Sequence, residues 1–160
     1  MAITKPRGIR AKKYRYTECG LDYIYLIGGW NITQSPRGKM LHIQDVEGLH
    51  KAIGEMLVTE RKNLDGPEFR FLRHELNMTQ QNLAMLLGVD VQTVGRYERS
   101  ETDIPGPAQR IVRLLYCEKM NNNRKICEPL ERLAELDEMN DVDEVDFQET
   151  SEGWQPALAA

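Results

Sequence analysis

The sequence predicts an α+β chain in two parts, a small antiparallel β-sheet carrying one helix and then a bundle of short helices. Three observations predict it. Residues 14–43 hold β-favouring runs separated by glycine-rich breaks. From residue 46 onward apolar residues recur at three-and-four spacing. Capping residues and glycine or proline breaks divide that second stretch into separate helices. At 160 residues, 41% hydrophobic and 29% charged, the chain has the size and composition of one globular domain or two small ones. No apolar run approaches the roughly 20 residues of a membrane-spanning helix.

Residues 1–13 read as a flexible basic arm. They lack the apolar stretch of a secretory signal, which predicts a cytoplasmic location. Tyr14–Thr17, Leu21–Ile27 and Met40–Ile43 read as strands, broken at Gly28-Gly29 and Ser35–Gly38. Tyr23 and Tyr25, close to Trp30, read as core or interface packing rather than as platforms for nucleobases. Asp45 is placed to cap a helix to about Arg61, with Val46, Leu49, Ala52, Ile53, Met56 and Leu57 on its buried face. Residues 14–62 therefore form a sheet-and-helix unit suited to dimerisation or partner binding, and Asn63–Pro67 is the expected hinge between this unit and the helical one.

The second unit spans residues 63–138. Asp65, Gly66, Pro67 and Glu68 make an acidic variant of the capping box, opening a helix that buries Phe69, Leu72 and Leu76. Thr79 caps the next helix, with Leu83, Ala84, Leu86 and Leu87 inward and Gly88 at its stop. Asp90 caps a third, through Arg99, with Val94 and Tyr97 inward. Pro107 starts a fourth that buries Ala108, Ile111, Val112, Leu114 and Leu115, and Leu130, Leu133, Ala134 and Leu136 mark a fifth. Residues 139–160 read as an acidic disordered tail.

Net charge is −4, but it is unevenly placed. Residues 1–126 carry 20 Lys and Arg against 14 Asp and Glu, while residues 127–160 carry 1 against 11. A basic body suits a polyanion, and an acidic tail repels one or occupies the basic surface in its absence.

Two short helices joined by a glycine-containing turn are the geometry that sets a second helix into a DNA major groove. The steric demands are met here: Ala84 is small where the helices cross, Gly88 sits in the turn, and Val94 locks the third helix onto the second. The run from Phe71 to Glu98, FLRHELNMTQQNLAMLLGVDVQTVGRYE, resembles the Cro/CI-type (XRE) helix-turn-helix family over about residues 67–116. The resemblance implies a lambda-repressor-like all-α domain and a sequence-specific regulator of transcription, a dimeric repressor reading double-stranded DNA with helix 90–99. On that fold Val91, Gln92 and Arg96 project as base contacts: Gln pairs with adenine, Arg with guanine, and Val suits a thymine methyl. Gln80, Thr93 and Arg99 project as contacts to the DNA backbone. Arg73 and Glu98 fall where the family places an ion pair joining the first helix to the end of the third.

The Arg96–Glu98 ending and the small unit ahead of the motif look most like the antitoxins of the MqsA group. That implies an alternative, an antitoxin that neutralises a partner toxin by protein contact and regulates its own operon. Such antitoxins carry an N-terminal zinc site of paired cysteines, whereas this chain has Cys19 alone there. Cys19, His42 and His50 fall short of the four ligands of a structural zinc site, so neither metal nor cofactor is expected. Cys19, Cys117 and Cys127 lie in no CxxC and read as reduced thiols. There is no nucleotide-binding glycine loop, HExxH or GxSxG, and the expectation is a non-enzyme. The last residues, Ala157 to Ala160, resemble the end of the bacterial trans-translation tag, which implies a degradation signal.

Overall fold

The computed structural model describes residues 13–120, 134–135, 147–151 and 153–156. The elements run β1 (Lys13–Arg15), β2 (Tyr25–Ile27), β3 (Trp30–Ser35), β4 (Gly38–Ile43), α1 (Val46–Thr59), α2 (Gly66–Glu75), α3 (Gln80–Leu87), α4 (Val91–Glu98), α5 (Gly106–Met120), β5 (Phe147–Thr150) and β6 (Gly153–Pro156). This is an α+β fold, with five helices among the described residues.

The N-terminal strands differ from the expected single sheet. They form two separate antiparallel ribbons, β1 with β2 and β3 with β4. Strand β3 lies in the stretch between Gly29 and Ser35, which the sequence pattern does not mark. Its alternation is blurred by Asn31, Thr33 and Gln34, and pairing with β4 rather than propensity makes it a strand. The β3–β4 turn is tied by Ser35, whose Oγ accepts from Arg37 N at 3.2 Å and donates to Gly38 O at 2.9 Å. Tyr25 is exposed and so lies outside the core, because Leu26 takes the inward position of that short strand. In the C-terminal segment expected to be disordered, β5 pairs with β6, with Glu149 opposite Trp154. Phe147 and Trp154 are β-favouring residues whose signal the acidic composition of the segment outweighs. The basic arm, apart from Lys13 in β1, lies outside the described residues. So do residues 157–160 and the expected fifth helix of the second unit, apart from Ala134 and Glu135, which are helical.

Helices α1, α2 and α5 pack on one another, and the residues from both sides of the expected hinge share one core. Ile53 and Leu57 of α1 join Phe69 and Leu72 of α2 and Val112, Leu115 and Tyr116 of α5, all buried. Helical spacing puts Val46, Ala52 and Leu114 on buried faces, but all three are exposed. Val46 is the first residue of its helix, where the opening turn projects past the core, and Leu114 faces away from the stripe made by Val112, Leu115 and Tyr116. Gly54 lies against Tyr116, with space for no Cβ beside the phenol oxygen.

Polar groups tie the residues on either side of 63–67 together. Arg113 of α5 donates from Nη1 to Leu57 O and Val58 O at 2.8 and 3.0 Å, and from Nη2 to Arg61 O at 2.8 Å. It thereby satisfies carbonyls at the end of α1 that no helical N–H reaches. Glu68 is fully buried and reads both ways across the junction. One carboxylate oxygen accepts from Tyr23 Oη at 2.6 Å and Arg61 Nε at 2.7 Å, and the other closes the capping box by accepting from Asp65 N at 2.9 Å. Burial and the neighbouring carboxylate push the Tyr23 hydroxyl well above the usual phenol range. His50 of α1 likewise bridges Tyr16 Oη and Glu75 Oε1, each at 2.8 Å.

Candidate nucleic-acid interface

The sequence places a stop and a start between Leu87 and Val91, and the backbone follows it. Gly88 takes φ 67°, a left-handed conformation that costs a glycine nothing, while Val89 N bonds back to Ala84 O at 3.0 Å. Asp90 then accepts from Gln92 N at 2.8 Å and opens α4. Thr79 opens α3 in the same way, accepting from Asn82 N at 3.1 Å. Each of the two short helices therefore has its ends satisfied locally.

Helix α4 is sharply two-sided. Val94, Gly95, Tyr97 and Glu98 are buried, with the Tyr97 ring edge-on to Phe69 at 5.9 Å between centroids. Val91, Gln92, Arg96 and Arg99 are exposed, and Val91 keeps 42% of its surface in solvent despite being aliphatic. Thr93 is half-buried and stands apart from that row. A shallow depression of about 450 Å³ brings together Gln80, Val91, Gln92, Arg96 and Arg99, with Gly95 in its floor and Glu101 at its edge.

Beneath it lies an ionic anchor. Arg73 Nε meets Glu98 Oε1 at 2.5 Å and Nη2 meets Oε2 at 3.1 Å, while Nη1 donates to Met78 O at 2.8 Å. Gln80 Nε2 donates to the same Glu98 oxygen at 2.7 Å, so the side chain expected to contact the DNA backbone is held at the mouth of the depression by the buried carboxylate. Bidentate geometry of this kind fixes orientation as well as distance.

Two further residues belong to the site without having been marked for it by the sequence pattern. Glu101 holds Arg99, Nε to Oε1 at 2.6 Å and Nη2 to Oε2 at 3.2 Å, with both side chains at least half exposed. The contact holds the Glu101 carboxyl below the usual range and the Arg99 guanidinium above its own. A carboxylate two residues past a basic side chain is its available signal. Gly66, legible in the sequence only as part of the hinge and the capping box, begins α2 against the end of α4: a Cβ there meets Glu98 O and Tyr97 O at 2.6 Å. No local pattern announces that contact, because it joins segments some thirty residues apart.

Among the described residues no group of three or more His, Cys, Asp or Glu is arranged to hold a metal ion. Cys19 donates to Tyr16 O at 3.3 Å, His42 bonds Thr33 Oγ1 at 3.0 Å, and His50 is engaged by Tyr16 and Glu75. No helix among those residues is long and apolar enough to cross a membrane.

No curated protein and no solved structure matches the chain. Residues 69–108 match the family model described as Helix-turn-helix. That match covers 40 of the chain's 160 residues, from within α2 to the start of α5, and the stretch is similar there to helix-turn-helix domains of the XRE type, a family of DNA-binding regulatory domains.

Proposed function

We propose that the chain is a sequence-specific DNA-binding regulator of transcription and acts as a dimeric repressor. One observation carries the reading: Val91, Gln92 and Arg96 form an outward row on a helix whose opposite side, Val94 and Tyr97, is locked into the core. A side chain held on a rigid helix keeps its hydrogen-bonding edge aimed, which base readout requires. Gln80 and Arg99 flank the row and supply phosphate contacts on either side, and Thr93 contributes from its partly exposed position. Arg73 and Glu98 touch no DNA in this reading; they hold α4 at a fixed angle to α2 and position Gln80.

A single helix of this length covers only a few base pairs. Two-fold pairing of chains, with half-sites roughly 34 Å apart, supplies the remaining specificity. Selection of bound duplexes from a random pool tests the reading directly. An enriched inverted repeat with that spacing is expected, and a pool that stays random after repeated selection argues against it.

A further inference from the structure

The positive charge of this protein is not where its helix-turn-helix lies. Residues 45–126 carry 12 Lys and Arg against 12 Asp and Glu, while residues 1–44 carry 8 against 2. The attraction for a polyanion is therefore concentrated in the N-terminal unit, although the base-reading row stands on α4.

Four of those eight cations, Lys13, Arg15, Arg37 and Lys39, stand on described residues, and the structure gives them a surface. In β1, Lys13 and Arg15 are exposed and paired with Ile27 and Tyr25 of β2, while Tyr14 and Leu26 between them turn inward. Residues directly opposite in an antiparallel pair share a face. The outer face of this ribbon thus carries two cations beside Tyr25, 54% exposed, and Ile27, 65% exposed. The second ribbon ends in Arg37 and Lys39, both exposed, on a turn fixed by Ser35. From Tyr23 to Gln44 there is no carboxylate at all. Glu18 and Asp22 lie in the connection between β1 and β2, outside the strands.

We infer that the two β-ribbons are a second DNA-contacting surface, binding duplex phosphates without regard to sequence through Lys13, Arg15, Arg37 and Lys39. The inference rests on the DNA-binding reading of α4 and adds a division of labour to it. Charge complementarity selects the occupant: ribbons whose strands carry cations and no carboxylate match the phosphate backbone, and each phosphate neutralised releases counterions. β-Ribbons fit the surface of B-DNA, and backbone contacts position a protein while base contacts specify. The exposed Tyr25 and Ile27 lie opposite Arg15 and Lys13, where they add apolar contact to sugars.

The test uses the full chain with Lys13→Gln, Arg37→Gln and Lys39→Gln combined. Arg15 is left in place because its Nε donates to Asp22 O at 2.8 Å and supports the ribbon. Affinity for a mixed-sequence duplex two helical turns long is measured across salt concentration, alongside wild type, with gel filtration of both. Each lost phosphate contact flattens the dependence of log affinity on log salt by about 0.9, so the triple variant is expected to be shallower by about 2.7. Wild type then loses roughly 40-fold more affinity than the variant between 50 and 200 mM salt. Equal slopes overturn the inference while leaving the α4 reading intact. Equal slopes with a change in oligomeric state mean that the ribbons meet a second copy instead, which also overturns it. A wild-type chain with no affinity for any duplex removes both readings together.

Discussion

Arg73 holds both oxygens of Glu98, and through Glu98 it holds Gln80, so one buried guanidinium couples α2, the end of α4 and the start of α3. Both partners are almost fully buried. Arg73→Ala leaves the Glu98 carboxylate without its counter-charge, and the expected loss of unfolding free energy is about 3–5 kcal/mol. Replacing the pair together, Arg73→Met with Glu98→Leu, is expected to restore most of it, because two apolar side chains strand no charge. Denaturant unfolding checks both. An Arg73→Ala protein with the wild-type midpoint and slope contradicts the assignment.

Gly66 sets how closely α2 approaches α4. A methyl group there runs into backbone oxygens of Tyr97 and Glu98, which cannot swing away as a side chain tip can. Gly66→Ala is expected to destabilise by about 1–3 kcal/mol, the usual range for overpacking. Gly106→Ala is the control, since nothing lies within 4 Å of the added atom. Parallel thermal melts separate the two, and equal melting temperatures refute the close approach.

On the exposed side of α4 the expectation reverses, with stability unchanged and binding lost. Arg96→Ala and Gln92→Ala each cost about 1–3 kcal/mol on the selected operator and relax preference at one base pair. Glu101→Gln acts in the opposite direction, freeing Arg99 for phosphate and strengthening binding to all sequences, most at low salt. Mobility shifts on selected and scrambled duplexes distinguish these outcomes, and weaker binding by Glu101→Gln counts against the Arg99 contact.

Tyr116 gives the protein an alkaline limit. Burial pushes its hydroxyl up from 10.0 to about 12, and the hydroxyl donates to Lys51 O at 3.2 Å. The folded state holds this proton more tightly than the unfolded chain does, so the contribution is complete below pH 10 and is lost as pH rises toward 12. Denaturation midpoints measured across that window are expected to fall, and to fall less in Tyr116→Phe. Identical pH profiles for the two proteins rule out Tyr116 as the source.

What is legible in the sequence is local. Asp45, Asp65, Thr79 and Asp90 announce helix starts because a cap bonds a backbone N–H two or three residues away, and all four do so here. The alternation of buried Val94 and Tyr97 with exposed Val91, Gln92 and Arg96 follows from helical periodicity for the same reason. Less legible are features that depend on distant partners: the division of the strands into two ribbons, the pairing that makes β3, and the fit of Gly66 to α4. The contacts around the expected hinge are of that kind. Asn63 to Pro67 has the composition of a linker, but Glu68 and Arg113 turn it into a fastened corner, and neither residue signals that role through its neighbours in sequence.

The fastening by Glu68 and Arg113 has a consequence for portability. Cutting the chain at the apparent linker, to transplant residues 63–120 as a free-standing reader, would strip Tyr23 and Arg61 from a carboxylate with no access to water and remove the carbonyls that Arg113 bonds. The fragment would also lose Ile53 and Leu57 from its core. Its expected circular dichroism is that of a loosely ordered helical chain with no sharp melt, whereas a cut made ahead of Lys13 preserves the cooperative transition. The smallest unit expected to fold on its own therefore reaches back ahead of residue 63 and takes in α1 and Tyr23 together with the helix-turn-helix.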